Sequence, residues 1–332
     1  MAFEQINVCY SVIEPDSLKI VLNEQYGFNY NTKCYLYRSS INDVYFVKTD
    51  DAVYYLRIAN NGARGLTLID YEEEINIMIS INDNGVSTAA PVPCRNGKFV
   101  WAINAPEGIR YAVLFVGIKS NPSDDHTKSS YSLGQALANI HTISDHKEYK
   151  ISRPPIDFRL LIEKPLSLLR PYLEPEKPYE FLFICNSLER LREYITEKLS
   201  LQKPFYGFCH GDISGNVFFQ GEIPTFFDFD YMGYGWRSDE IAFYIWGMEK
   251  KNPHYKESEE YKAFIDGYNS VRGLSENEIK CINAFCAIRS IWTISISIML
   301  FAKRNGLFAV EEYIRQCTGD FLMRYNKVFV ET

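Results

Sequence analysis

Histidine is scarce and basic charge is in deficit. The 332 residues include five histidines, and none has a partner at metal-ligand spacing, which argues against a zinc centre. Lys and Arg number 35 against 42 acids, for a net charge of −7. A chain of that sign is not built to follow a phosphate backbone, so no nucleic-acid partner is expected. No secretory pattern is present either: residues 1–10 contain Glu4 but neither a basic region nor a long apolar run. The eight cysteines form no C-x-x-C pair and lie singly in apolar surroundings, as Cys9, Cys34 and Cys209 do. Reduced thiols in a cytoplasmic protein are the expectation. The most apolar stretch, residues 282–301, is interrupted by Asn283, Arg289 and several Ser and Thr. It reads as a buried helix, and no membrane association is expected. Repeats and low-complexity tracts are absent as well. What remains is 46% hydrophobic composition over a length that supports a sizeable core and two lobes.

The most informative stretch is 205–231, F-Y-G-F-C-H-G-D-I-S-G-N-V-F-F-Q-G-E-I-P-T-F-F-D-F-D-Y. Short apolar strands are expected at 206–209, 217–219 and 225–227, with a polar loop at 210–216 and a hairpin turn at Gly221. This places Asp212, Asn216 and Asp228 at the ends of buried strands, where loop residues can converge. Two carboxylates and an amide suit a hard cation such as Mg²⁺, with one carboxylate spare as a base.

His210-Gly211-Asp212, then Asn216, then Asp228-Phe229-Asp230 sixteen residues after Asp212, resembles the catalytic and metal loops of the aminoglycoside phosphotransferase/choline kinase-like family. These are small-molecule kinases, and the homoserine kinase type II and antibiotic kinases are among them. The resemblance covers nearly the whole chain, with weak wording over 144–203. It implies an α+β, two-lobed protein-kinase-like fold. The small β-rich lobe would occupy residues 1–116 and bind nucleotide. The larger, mostly helical lobe, 117–332, would carry catalysis and the acceptor. Asp212 is then the base that takes the acceptor hydroxyl's proton. Asn216 and Asp228 hold Mg²⁺, Asp230 reaches a second ion, and His210 fixes the loop by hydrogen bonds. The phosphate donor is ATP or GTP.

A short helix is expected at 17–26, strands at 34–38, 44–48 and 53–58, and a further helix at 71–81. The loop 39–43 contains no glycine, so it is neither a Walker loop nor a kinase Gly-rich loop. The resemblance nevertheless implies that it covers the nucleotide phosphates, with Ser40 and Asn42 as side-chain donors. Arg57 stands where kinases of this fold often have Lys, and it can grip phosphate bidentately. Glu74 is its implied ion-pair partner, chosen over Glu72 and Glu73. Strands follow at 99–103 and 110–115, and residues 114–117 are the implied hinge, with Phe115 packing on the adenine. Residues 121–128 mark the lobe boundary. Helices are expected at 131–143, 180–200, 260–268, 276–303 and 310–329, with a loop at 232–237 before a helix opening at Asp239. His141 is read as structural, and the resemblance makes Asp239 the acid that braces the catalytic loop.

One departure from the pattern stands out. Kinases place Asn five residues after the catalytic Asp, whereas Asn216 lies four after Asp212. Either Gly215 absorbs the shortening through a backbone conformation closed to other residues, or Ser214 or water takes the place of Asn216 at the metal. The short loop and Arg57 also favour a rival reading, a non-catalytic nucleotide-binding protein on the same fold. A metal-dependent phosphohydrolase using His210, Asp212 and Asp228 is a third, disfavoured by the lack of additional histidines. As for the acceptor, residues 211–270 hold eleven acids and five bases, together with Trp236 and Trp246, and Trp292 follows in the same lobe. Negative charge attracts cations and tryptophan faces cage ammonium groups. A cationic, amine-bearing, antibiotic-like acceptor is therefore expected, ahead of a homoserine- or choline-type metabolite.

Overall fold

The computed structural model describes residues 7–60, 65–301 and 307–330. They divide into two units. The first comprises residues up to Asp83 together with Thr88–Ser120, and the second comprises Asn84–Ser87 and everything from Asn121 onward.

The first unit is built on an antiparallel sheet of order β1-β2-β3-β5-β4, formed by β1 (Lys33–Ser39), β2 (Asn42–Lys48), β3 (Val53–Ala59), β4 (Val100–Ala105) and β5 (Gly108–Val116). Helix α1 (Pro15–Tyr26) starts two residues earlier than the apolar spacing suggests. Pro15 supplies a preset helical φ at its first turn, and the Glu14 carboxylate accepts the Ser17 N–H. Side chains alternate across a strand. Leu56 and Ile58 of β3 therefore join Leu18, Leu22, Tyr45, Val47 and Leu114 in one core layer, while Arg57 points to the other face. Strands β1 and β2 run further than expected, pairing Ser39 with Asp43, so the turn between them shrinks to Ser40 and Ile41. Helix α2 (Leu68–Asp83) buries Ile75, Met78 and Ile81, and also Glu74.

The second unit is mostly helical: α3 (His126–His146), α4 (Lys164–Leu173), α5 (Pro178–Lys198), α6 (Arg237–Lys251), α7 (Glu259–Val271), α8 (Glu276–Phe301) and α9 (Leu307–Val330). The expected end of α8 at 302–303 lies outside the described residues. Helix α8 is long and apolar enough to cross a membrane, but 89% of its most apolar window is buried inside the protein. Helix α4 and the π-turn Arg159–Glu163 before it fall in a proline-punctuated stretch where no helix was expected.

Three short strands carry the organising stretch: β7 (Tyr206–Cys209), β8 (Val217–Gly221) and β9 (Ile223–Phe226). Strands β8 and β9 form the hairpin about Gly221, and the two-residue strand β6 (Asn121–Pro122) pairs with β8. Strand β7 pairs instead with Gly233–Trp236, a strand where a loop was expected. Glycine in a strand marks a close backbone approach. Here Ile156 crosses so near that a Cβ on Gly235 would lie 2.9 Å from Ile156 Cβ.

Candidate active site

The loop after β7 is held by its own backbone. The His210 ring is fully buried and packs at a tilt against Phe229, with ring centroids 4.2 Å apart. Its Nε2 donates to the Phe227 carbonyl at 2.9 Å, and its Nδ1 accepts the Asp212 N–H at 3.3 Å. That pattern requires the neutral tautomer. Burial agrees, pushing the imidazole down to about 4. His210 therefore fixes the loop and carries no charge at neutral pH. Gly211 adopts φ 83°, and the Tyr231 carbonyl leaves no space for a side chain there.

The shortened loop closes on itself. Gly215 takes φ 88° in open space, a conformation costly for other residues. Asn216 Nδ2 donates to the Asp212 carbonyl at 2.7 Å, and the Asn216 carbonyl accepts the Phe227 N–H at 3.1 Å. A carbonyl can only accept, so the side-chain nitrogen of Asn216 faces the loop. Its oxygen, the atom a hard cation needs, is left over. Asp228 follows β9 at φ 60°, ψ 64°, and is the one non-glycine residue with positive φ among the described residues. Asp tolerates this left-handed region better than most residues, at a cost of about 1–2 kcal/mol. Both Asp212 and Asp228 are half-buried, whereas Asp230 is buried.

The brace beneath the loop is Glu240, one residue beyond the expected Asp239. Glu240 Oε1 accepts the Gly211 N–H at 2.8 Å, and Oε2 meets His141 Nε2 at 2.7 Å. His141 Nδ1 in turn contacts the Tyr268 hydroxyl at 2.8 Å. Burial raises the Glu240 carboxyl to about 8 and lowers His141 well below its usual value. Both shifts favour the uncharged forms of the two buried groups. Asp239 instead forms a two-pronged pair with Arg289, at 2.8 and 2.6 Å. Neighbouring helix positions point about 100° apart, and nothing in the two carboxylates distinguishes them in the sequence. Glu240→Ala strands the Gly211 N–H and His141, and is expected to lower stability by about 1–3 kcal/mol. Glu240→Gln keeps an acceptor for Gly211 and should fall closer to the parent. Urea unfolding of the two variants measures the difference.

In the first unit, Arg57 Nη1 meets Glu74 Oε1 at 2.7 Å, with both side chains buried. The guanidinium lies over the rings of Phe115 (5.4 Å) and Tyr71 (5.9 Å). Phe115 thus packs against Arg57. The Leu114 carbonyl, Val116 N–H and Gly117 N–H, within the implied hinge, are bonded to Val92, Ala90 and Val53. Ser40 sits at the tip of the β1–β2 turn, while Asn42 is buried at the start of β2.

The tryptophans do not form an open cage. Trp236, Trp246 and Trp292 are buried. The Arg289 guanidinium lies 4.5 Å from the Trp292 ring centre, and Lys250 Nζ lies 4.0 Å from that of Trp246. The protein's own cations occupy these faces. Part of the acid excess is also neutralised internally, Asp239 by Arg289 and Glu249 by Arg324 and Lys327.

A protein-kinase-like arrangement is thus in place, with a β-rich first unit, a helical second unit and a His-Gly-Asp loop beside an Asp-Phe-Asp turn. Residues 37–274 match the model of the phosphotransferase enzyme family (APH), and the chain belongs to that family. It is a small-molecule kinase, a phosphotransferase with an alcohol group as acceptor. A Synechocystis protein is 29% identical over 87% of this chain and 79% of its own length. The amicoumacin kinase of Bacillus subtilis is 28% identical over 68% of this chain and 65% of its own. Among solved structures, a microcompartment-associated aminopropanol kinase superposes with a TM-score of 0.76 at 17% identity, covering 94% of this chain and 97% of that one. An amicoumacin kinase in complex with AMP-PNP, Ca²⁺ and Ami gives 0.71 at 17% identity, covering 95% and 93%.

Proposed function

We propose that this chain transfers the γ-phosphoryl group of ATP, with Mg²⁺, to a hydroxyl of a small amine-bearing molecule. The observation that carries this reading is the closure of the loop by Asn216 Nδ2 on the Asp212 carbonyl. It turns an amide oxygen outward despite the missing residue. The donor set of Asn216, Asp228 and Asp230 is all hard oxygen, which fits Mg²⁺. When bound, the ion would neutralise charge developing on the phosphates. Asp212 takes the proton of the acceptor hydroxyl as it attacks. Arg57, fixed by Glu74 and faced by Phe115 and Tyr71, offers a permanent positive charge to the phosphates, and Ser40 is a further donor candidate at the turn. These two features, an arginine in β3 and a short loop, also suit a non-catalytic nucleotide binder; the loop closure and the Arg57–Glu74 pair favour catalysis.

ATP is preferred to GTP because a similar solved structure holds AMP-PNP. The amine rests on the names of proteins with similar folds, an aminopropanol kinase, an ethanolamine kinase and a choline kinase. It also rests on the excess of acids over bases in 211–270, eleven against five. The test is release of ADP from ATP, or of GDP from GTP, across a panel of amino alcohols, aminocyclitol antibiotics and neutral or anionic alcohols. Amine-bearing acceptors should lead, and their Michaelis constants should rise with salt as the Debye length falls from about 10 Å at 0.1 M to about 3 Å at 1 M. A neutral or anionic best acceptor without salt dependence removes the amine. No release of ADP or GDP with any acceptor, alongside intact nucleotide binding, favours the non-catalytic reading.

A further inference from the structure

The turn that carries Asp228 and Asp230 is gripped from below by a buried cation that no motif marks. Arg153 lies in the irregular segment between α3 and the π-turn, and the residue is buried. Its Nη1 donates to the Phe229 carbonyl at 2.9 Å and to the Asp230 carbonyl at 2.8 Å. One guanidinium nitrogen therefore ties two successive peptide units of the turn. The segment that delivers it is itself anchored. Ile156 N–H donates to the Tyr234 carbonyl at 2.8 Å, and the Tyr234 hydroxyl donates to the Tyr149 carbonyl at 2.8 Å while accepting the Tyr149 N–H at 3.1 Å.

A buried guanidinium is costly unless its charge is satisfied, and here carbonyl dipoles of the turn supply part of that satisfaction. The turn needs such a hold. Asp228 sits in a left-handed conformation, which persists only when the surroundings over-determine it. His210 takes the Phe227 carbonyl on one side of Asp228, and Arg153 takes the Phe229 carbonyl on the other. The backbone is thus pinned on both flanks of the residue whose carboxylate is proposed to hold the metal. We propose that Arg153 is a positioning residue for the metal-binding carboxylates, setting the backbone from which Asp228 and Asp230 project. This rests on the metal-dependent phosphotransfer proposed above.

The test compares Arg153→Met, which keeps the apolar stem, with Arg153→Lys, which keeps the charge and a donor. Mn²⁺ binding in the presence of AMP-PNP is read by electron paramagnetic resonance. ATP binding in EDTA is read by calorimetry, and the thermal midpoint reports folding. Arg153→Met should weaken Mn²⁺ binding by about 10–100-fold, the usual cost of losing a group that supports a metal ligand. Metal-free ATP affinity should stay at the parent value, and raised metal concentration should recover turnover. Arg153→Lys should restore most of the Mn²⁺ affinity. Should the Met variant fail to fold, Arg153→Gln replaces it with the same expectation. A folded neutral variant with parental Mn²⁺ affinity, or one matching Arg153→Lys, overturns the proposal and leaves the kinase reading intact. A parent protein that binds no Mn²⁺ with AMP-PNP overturns that reading first.

Discussion

Asp212→Asn should lower turnover by about 10²–10⁴-fold, the usual contribution of a positioned general base, while nucleotide affinity stays within a few-fold. The substitution is nearly isosteric, and two contacts that place the residue come from its main chain. Its N–H reaches His210 Nδ1 and its carbonyl accepts from Asn216, and both survive. What disappears is the capacity to accept a proton from the acceptor hydroxyl. In barrier terms the loss is about 2.7–5.5 kcal/mol. A steady-state assay of ADP release beside calorimetry of nucleotide binding separates the two effects. A mutant that turns over like the parent would sink the mechanism.

Asp228→Asn should abolish the metal-dependent part of nucleotide binding. Asparagine is chosen over alanine because residue 228 adopts φ 60°. Asn populates that region, whereas Ala would add backbone strain and confuse the result. The neutral amide keeps the shape and loses the charge. The fall in Mg-nucleotide affinity should exceed the ~10–100-fold that loss of a supporting partner costs, with metal-free binding untouched. Unchanged Mg-nucleotide affinity by calorimetry would remove Asp228 from the metal.

The sequence shows most of what is local. The β3 arginine and the acid that meets it, Glu74 among three consecutive glutamates, are legible because helix register and motif agree. So is the loop at 210–216, whose polar run between apolar strands announces itself. Less legible is whatever depends on which distant element lies alongside. Gly233-Tyr234-Gly235-Trp236 reads as a loop because glycine is poor in strands, yet Ile156 passing overhead makes glycine necessary. Glu240 and Asp239 differ only in which way the helix turns them. The tryptophans read as an ammonium cage because the sequence does not show that Arg289 and Lys250 fold onto two of them. Arg153 carries no local pattern at all; the two turn carbonyls it meets lie 76 and 77 residues away.

Of the eight thiols, six are buried, Cys185 is half-covered and Cys9 alone is exposed. Burial pushes the pKa of the other seven thiols up, which leaves them little thiolate at neutral pH. Maleimide reagents react with thiolate, so brief exposure of the native protein should attach one label, at Cys9. That label would sit next to Tyr10, whose hydroxyl bonds both Ser39 and Asp43, the cross-strand pair beside the β1–β2 turn. A fluorophore placed there, with no engineered cysteine, becomes an optical reporter of whether nucleotide reaches that turn.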